Sequence, residues 1–263
     1  MRRKDYNASM WLELRLKRLK AKWQHLEDYF RSLPQSNDIE RVTDFAQCKH
    51  PVLILYGFGA TRRSVSILES RLRKDGFGVF SVKLGGLMDL FNTAPIDEVA
   101  KKVANKIETL CTRYNLPRFT IIGYSKGGLI GRYYVSYLGG ARRVHTLITL
   151  ATPHRGSPWV IVSSLFLVGL LSKGLRQMLP ASPFMRKLAK TPIPEGMYAV
   201  SISSKKDKTC PPRFSQLPEQ SQSAPVYNIT LPFLHHSDFV IKPSAYSEIY
   251  KHIMAGLQHA ENV

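Results

Sequence analysis

One serine in the middle of the chain has the surroundings of a nucleophile. Ser125 stands between Gly123 and Gly127, after the strand-like run from Phe119 to Ile122 and before a helical pattern with small residues. In a strand–turn–helix setting, the Gly-x-Ser-x-Gly pattern exposes the serine hydroxyl on a strained turn at the carboxyl end of a strand. Glycine on each side removes Cβ atoms that would collide with the neighbouring strand and helix. We therefore predict that Ser125 is a nucleophile, the alternative being a glycine-rich turn with a bystander serine.

A nucleophilic serine needs a base that accepts its proton and a carboxylate that orients the base. On this kind of turn the three residues follow one another as Ser, then Asp or Glu, then His. The acidic residues between Ser125 and the last histidines are Glu195, Asp207 and Glu219. We favour Asp207, since it directly follows a strand-like run; a solvated aspartate among lysines is the alternative. The base is one of the adjacent His235 and His236, and the chain order fits both.

Composition limits the classes of function. The 263 residues are enough for one α/β domain with a sizeable core. A formal net charge of +19 favours anionic partners, either lipid headgroups or nucleic acid. Cys48, Cys111 and Cys210 are widely spaced, so neither a disulfide framework nor a zinc site is predicted. No other metal-ligand spacing or complete cofactor fingerprint occurs, and we expect no metal and no cofactor.

The amino-terminal segment, residues 1–38, differs in pattern from the rest. Its apolar residues recur at alternating spacings of four and three, with many Lys and Arg between them: Leu12, Leu16, Leu19, Trp23, Leu26, Phe30 and Leu33. Such a basic amphipathic helix could lie on an anionic membrane, dock on the domain or pair as a coiled coil. Residues 34–38 are predicted to be a linker.

No targeting or spanning segment is predicted. The basic start lacks the apolar core of a signal peptide, and no uncharged apolar run reaches the roughly 20 residues that span a bilayer. Together with the unpaired cysteines, this predicts a cytoplasmic protein, peripheral at a membrane if the amino-terminal helix binds lipid.

From residue 39 to residue 263 we predict one catalytic domain, because short apolar runs alternate with helical patterns. Such alternation is typical of a mostly parallel sheet with helices on both faces. The predicted strands are 52–56, 78–82, 119–122, 144–151, 197–203 and 226–230. Residues 156–195 form an insertion between two strands. Its uncharged stretch, 157–172, is predicted to be either a buried helix or an apolar lid.

Five blocks in this domain together resemble bacterial lipases and esterases of the α/β-hydrolase superfamily. The blocks are residues 56–59 (Tyr-Gly-Phe-Gly), 123–128, 151–157, 203–207 and 236–244. The resemblance covers about residues 50–257 and implies an α/β-hydrolase fold. It also places the catalytic histidine at His236 instead of His235.

The resemblance further implies an oxyanion hole formed by the backbone N–H groups of Phe58 and Lys126. The sequence departs from the family at three positions. Tyr56 and Tyr124 stand where the family often has histidine, and Lys126 stands where it has an uncharged residue. The backbone role does not depend on the side chain. The ammonium group of Lys126 would either favour a negatively charged headgroup or form a structural salt bridge.

These observations predict a serine hydrolase of carboxylic esters, in particular lipid acyl esters, that uses Ser125, His236 and Asp207 and forms an acyl-enzyme. One alternative is an acyltransferase with the same triad. The other is a non-catalytic protein that binds membranes or anions on the same fold. No nucleic-acid-binding motif is present, so nucleic acid is not an expected partner. The oligomeric state stays open.

Overall fold

Six parallel strands form the central sheet of the part of the chain that the structure describes. The structure, a computed structural model, describes residues 48, 50–85, 92–158, 160, 172–218 and 224–263. The strands lie in the order β2-β1-β3-β4-β5-β6. Their bounds are β1 Pro51–Leu55, β2 Gly78–Ser81, β3 Phe119–Tyr124, β4 Val144–Leu150, β5 Tyr198–Ser204 and β6 Val226–Leu231. The predicted strands and the mostly parallel α/β sheet are thus confirmed.

The interior strands are covered on both faces. Every residue of β1, β3, β4 and β5 is buried, although successive side chains point to opposite faces of a sheet. Continuous apolar sequence is typical of such strands. The edge strand β6 contains no fully buried residue. Because all neighbouring pairs are parallel, the carboxyl ends of the strands meet along one edge of the sheet.

Helices connect the strands and cover the sheet. They are α1 Ser66–Lys74, α2 Ile96–Tyr114, α3 Lys126–Tyr137, α4 Lys173–Gln177, α5 Pro183–Ala189, α6 Pro212–Ser215, α7 Asp238–Ile241 and α8 Pro243–Glu261. The buried stripe of α2 includes Val99, Val103 and Ile107, as its apolar spacing predicts. The last helix, α8, continues past Gly256, a residue type that weakens a helix interior, to Glu261. That glycine packs on β4, where an added Cβ atom would lie 2.1 Å from Thr146 Oγ1.

Some of the sequence-based predictions fall outside the described residues. The amphipathic helix and linker of residues 1–38 do so entirely, and the lid-like insertion does so over residues 159 and 161–171. These predictions stay untested, together with the domain boundary at residue 39. No helix in the described ranges is both long and apolar enough to cross a membrane.

Two buried histidines meet near the amino-terminal end of the sheet. His50 precedes β1 and His145 belongs to β4, and their Nε2 atoms lie 3.0 Å apart. Burial lowers the pKa of His50 to about 4. Burial, together with repulsion from His50, lowers the pKa of His145 to about 3. Both side chains are therefore neutral in the folded protein at neutral pH.

This pair predicts a loss of stability in mild acid. In the unfolded chain a histidine has a pKa of about 6.5. Unfolding therefore takes up protons at a pH between the lowered pKa values of the folded protein and about 6.5. Between pH 7 and pH 5, the free energy of unfolding should fall by about 2 kcal/mol more in the native sequence than in His145→Gln. Urea unfolding at the two pH values measures this difference. Equal falls in the two proteins would contradict the assignment.

Candidate active site

Ser125 occupies a strained turn at the centre of the sheet edge. It lies between β3 and α3 with φ +53° and ψ −122°, a backbone conformation that residues other than glycine rarely adopt. Its backbone N–H donates to the carbonyl oxygen of Leu150 at 2.8 Å, and its own carbonyl oxygen accepts from the N–H of Gly128 at 3.0 Å. The neighbouring strand and the first turn of α3 thus hold the turn in this conformation.

Close backbone packing explains the glycines on either side of this turn. A Cβ atom added at Gly127 would lie 2.1 Å from the carbonyl oxygen of Leu55 in β1. One added at Gly123 would lie 2.4 Å from the Cα atom of Gly128. Real Cβ atoms do not approach other atoms so closely, which confirms the steric reason predicted for the glycines.

The structure brings Ser125, His236 and Asp207 together. His236 Nε2 lies 3.2 Å from Ser125 Oγ, and His236 Nδ1 lies 2.8 Å from Asp207 Oδ2. The ring of His236 also packs against the ring of Tyr124, with centroids 5.2 Å apart. An imidazole placed in this way can take the serine proton on one nitrogen while the carboxylate fixes its other nitrogen.

The competing acid and base candidates are placed elsewhere or are not described. Glu195 is exposed, and Glu219 lies outside the described residues. The side chain of His235 is exposed, and its backbone N–H donates to Asp238 Oδ2 at 2.8 Å. Of the two adjacent histidines, His236 is therefore the one whose ring contacts Ser125 and Asp207.

Asp207 is held by backbone donors and not by the lysines next to it in sequence. Its side chain is fully buried. Its Oδ1 accepts the backbone N–H groups of Thr209 and Cys210, each at 2.9 Å, which leaves Oδ2 for His236. The neighbouring lysines are exposed, and Lys206 Nζ lies 5.4 Å from the centroid of the Phe233 ring. The alternative of a solvated, lysine-paired aspartate is therefore wrong.

Two polar residues that the sequence argument missed hold the loop that carries His236. Ser204 Oγ, at the end of β5, accepts the backbone N–H of Leu234 at 2.9 Å. Asp238 accepts from His235, as described, and its Oδ2 lies 2.8 Å from Lys242 Nζ. Asp238 is the first residue of α7, and its carboxylate reaches back three residues to the His235 N–H.

The expected oxyanion donors lie on two segments that meet at Ser125. Phe58 belongs to the loop after β1, and in the same loop a Cβ atom added at Gly57 would lie 3.1 Å from Ser125 Cβ. Lys126 is the first residue of α3, where backbone N–H groups have no acceptor within the helix. This arrangement is compatible with two N–H groups near a reacting carbonyl.

The side chain of Lys126 points into the protein. It is fully buried, and its Nζ donates to Asn92 Oδ1 at 2.8 Å, to the Asn92 carbonyl oxygen at 3.1 Å and to the Ala94 carbonyl oxygen. Burial lowers the pKa of Lys126 to about 7. These acceptors are neutral, and the ammonium group is closed off from solvent. This burial contradicts the expected headgroup contact, and the expected salt bridge has no counterpart among the described residues.

No group of His, Cys, Asp or Glu that could hold a metal ion occurs within the described ranges.

Comparison with known proteins assigns the class of this fold. A family model described as palmitoyl protein thioesterase matches residues 51–179, just under half of the chain. No curated protein matches the chain in a sequence search. The mature lipase BlEst2 of Bacillus licheniformis superposes with a TM-score of 0.63 at 14% identity, over 82% of this chain and 95% of the lipase.

Two further solved structures have the same fold. A lipase-esterase related protein from Clostridium acetobutylicum gives a TM-score of 0.58 at 16% identity, over 81% of this chain and 97% of that protein. The RedJ thioesterase of Streptomyces coelicolor gives 0.58 at 16% identity, over 85% of this chain and 92% of that protein. The chain thus has the α/β-hydrolase fold of these lipase, esterase and thioesterase structures. The fold that the sequence resemblance implies is confirmed.

The glycine packing yields a prediction with an internal control. Gly127→Ala should destabilise the protein by more than about 3 kcal/mol or prevent folding, because backbone atoms of β1 cannot move away from the new Cβ atom. Gly131 lies on the same helix, and a Cβ atom added there would lie 3.1 Å from its nearest neighbour, the Cγ2 atom of the Ile121 side chain. Gly131→Ala should change stability by no more than about 1 kcal/mol in either direction. Thermal unfolding measures both, and equal effects would contradict the packing argument.

Proposed function

We propose that the protein hydrolyses acyl esters of lipid type, with Ser125 as nucleophile, His236 as general base and acid, and Asp207 as the carboxylate that orients His236. The observation that carries this proposal is the continuous hydrogen-bonded path from Ser125 Oγ through the His236 ring to Asp207 Oδ2. Buried donors to the other Asp207 oxygen support it, since they hold the carboxylate in one orientation.

The proposed reaction proceeds through an acyl-enzyme. As Ser125 Oγ attacks the acyl carbonyl carbon, His236 Nε2 accepts the serine proton, and Asp207 stabilises the resulting imidazolium. The carbonyl oxygen becomes an oxyanion, which accepts hydrogen bonds from the N–H groups of Phe58 and Lys126. His236 then donates its proton to the leaving group. Water, activated by the same histidine, attacks the acyl-enzyme and releases the acid.

Thioesters are the second candidate substrate, because the matching family model is that of palmitoyl protein thioesterase. The same steps apply, with a thiol in place of the alcohol as leaving group. A thiol has a pKa of about 8.5 and leaves with less help from a general acid than an alcohol does. Comparing an oxyester and a thioester of the same acyl chain would show which leaving group the site prefers.

An acyltransferase with the same triad is distinguished by its products. If the acyl-enzyme prefers an alcohol to water, adding a competing alcohol converts most of the free acid into a new ester. If it prefers water, the acid remains the main product. The amino-terminal segment lies outside the described residues, so its contact with anionic membranes and the peripheral, cytoplasmic location stay predictions.

Replacing the nucleophile tests the proposal. Ser125→Ala should lower the turnover of p-nitrophenyl acyl esters and palmitoyl thioesters by about 10⁴-fold or more and abolish labelling by a fluorophosphonate probe, with the melting temperature little changed. Ser136→Ala is the matched control, because Ser136 lies on the same helix and its hydroxyl faces Pro192.

The outcome separates the enzyme from a binding protein on the same fold. The control should keep native turnover and labelling. A native protein that hydrolyses neither substrate and resists the probe would favour the binding protein. Undiminished turnover in Ser125→Ala would show that another residue is the nucleophile.

A further inference from the structure

We propose that the side chain of Lys126 is a positioning residue for the oxyanion hole, because it ties the two segments that carry the oxyanion donors together through Asn92. This inference rests on the proposed function, which gives the N–H groups of Phe58 and Lys126 their role. The backbone role of Lys126 does not require a charged side chain. The inference gives the buried ammonium group a function of its own.

The first half of the tie runs from α3 to Asn92. Lys126 directly follows the nucleophile, and its Nζ has three oxygen acceptors, two on Asn92 and one on Ala94. An ammonium group has three N–H donors and no acceptor, so the three oxygens match its hydrogen-bonding capacity. Asn92 is itself fully buried.

The second half runs from Asn92 to the loop that contains Phe58. Asn92 Nδ2 donates to the carbonyl oxygen of Tyr56 at 2.9 Å. The backbone N–H of Asn92 donates to the Ala60 carbonyl oxygen, and the N–H of Gly59 donates to the Asn92 carbonyl oxygen, both at 3.3 Å. Asn92 therefore bonds to the loop on both sides of Phe58.

The segment after Asn92 is also held by Ser172 and by α4, which begins at the next residue. Ser172 Oγ donates to the Thr93 carbonyl oxygen at 3.1 Å, and the N–H of Ile96 donates to Gln177 Oε1 at 2.6 Å. Close packing adds to these bonds, since a Cβ atom at Gly174 would lie 2.5 Å from the Ala94 carbonyl oxygen. The oxygens that receive the Lys126 ammonium group thus belong to a well-anchored segment.

Burying an ammonium group is costly, and its acceptors among the described residues are the neutral oxygens of Asn92 and Ala94. The ring of Phe58 lies within reach of the same group, with Nζ 5.6 Å from its centroid. Loss of the ammonium group would free the Phe58 loop to shift relative to α3. Oxyanion stabilisation depends on the placement of both donors to within a few tenths of an ångström, so such a shift would slow turnover more than it would weaken substrate binding.

The test compares two buried cations of the same helix. Lys126→Met should lower kcat on a short-chain, fully dissolved p-nitrophenyl ester by about 10- to 100-fold and change KM by less than about 3-fold. Arg132→Met is the control. Arg132 is also fully buried, and its Nη2 donates to the Leu188 carbonyl oxygen at 2.8 Å, away from the Phe58 loop. It should lower the melting temperature and leave kcat within about 3-fold of native.

A second measurement does not depend on turnover. Backbone amide hydrogen exchange at residues 57–60 should become faster by about 10-fold in Lys126→Met and remain native in Arg132→Met. If Lys126→Met does not fold, Asn92→Asp tests the other half of the tie. It keeps an acceptor for the Nζ atom and removes the donor to Tyr56, and the same loss of kcat and the same faster exchange are expected.

Native kcat in Lys126→Met or native exchange at residues 57–60 would overturn the inference, as would an equal fall of kcat in Arg132→Met. A native protein without hydrolytic activity would instead refute the proposed function. Exchange at residues 57–60 would then still decide whether Lys126 holds the loop.

Discussion

The position of Ser125 at the edge of the sheet depends on a contact between two backbone segments that leaves no space for a side chain. The first turn of α3 lies against the end of β1, where the Leu55 carbonyl oxygen occupies the position that a Cβ atom of residue 127 would need. This contact fixes the entry of α3 relative to the sheet. Ser125 is consequently held at a positive φ that it would not adopt alone, and the surrounding bonds supply the free energy that keeps the strain in place.

The parallel sheet places the other two residues of the site near Ser125. Ser125 and His236 are 111 positions apart in sequence, yet the ends of β3 and β6 belong to the same edge, with β5 and Asp207 next to β6. A short loop after each strand is then sufficient to bring the three side chains together. The distances between them are set by strand order and by loop anchors such as Ser204, whose hydroxyl joins the end of β5 to the His236 loop.

Much of this arrangement could be predicted from the sequence, because continuous apolar runs and glycine spacing have few structural solutions. The strands, the turn at Ser125 and the preference for Asp207 followed from such patterns. The choice between His235 and His236 did not follow from residue types, since both come after β6 and the bonds of Asp238 decide which ring faces the serine. The resemblance to lipases and esterases supplied what the residues alone could not.

Lys126 shows where sequence reasoning ends. The sequence predicts that its ammonium group contacts a headgroup or forms a salt bridge, and only the fold reveals that Asn92 and Ala94 receive it inside the protein. The long last helix is a similar case. Glycine has a low helix propensity, yet Gly256 lies within this helix because the close packing against Thr146 leaves no space for a Cβ atom. In both places tertiary contacts override the local pattern.

The most direct measurement of the central claim is a crystal structure of the protein after reaction with a long-chain alkyl phosphonate. The account predicts a covalent bond between phosphorus and Ser125 Oγ. It also predicts a phosphoryl oxygen within about 3 Å of the backbone nitrogens of Phe58 and Lys126, with His236 still bonded to Asp207. A phosphonate bound to another residue, or one whose phosphoryl oxygen points away from both nitrogens, would contradict it.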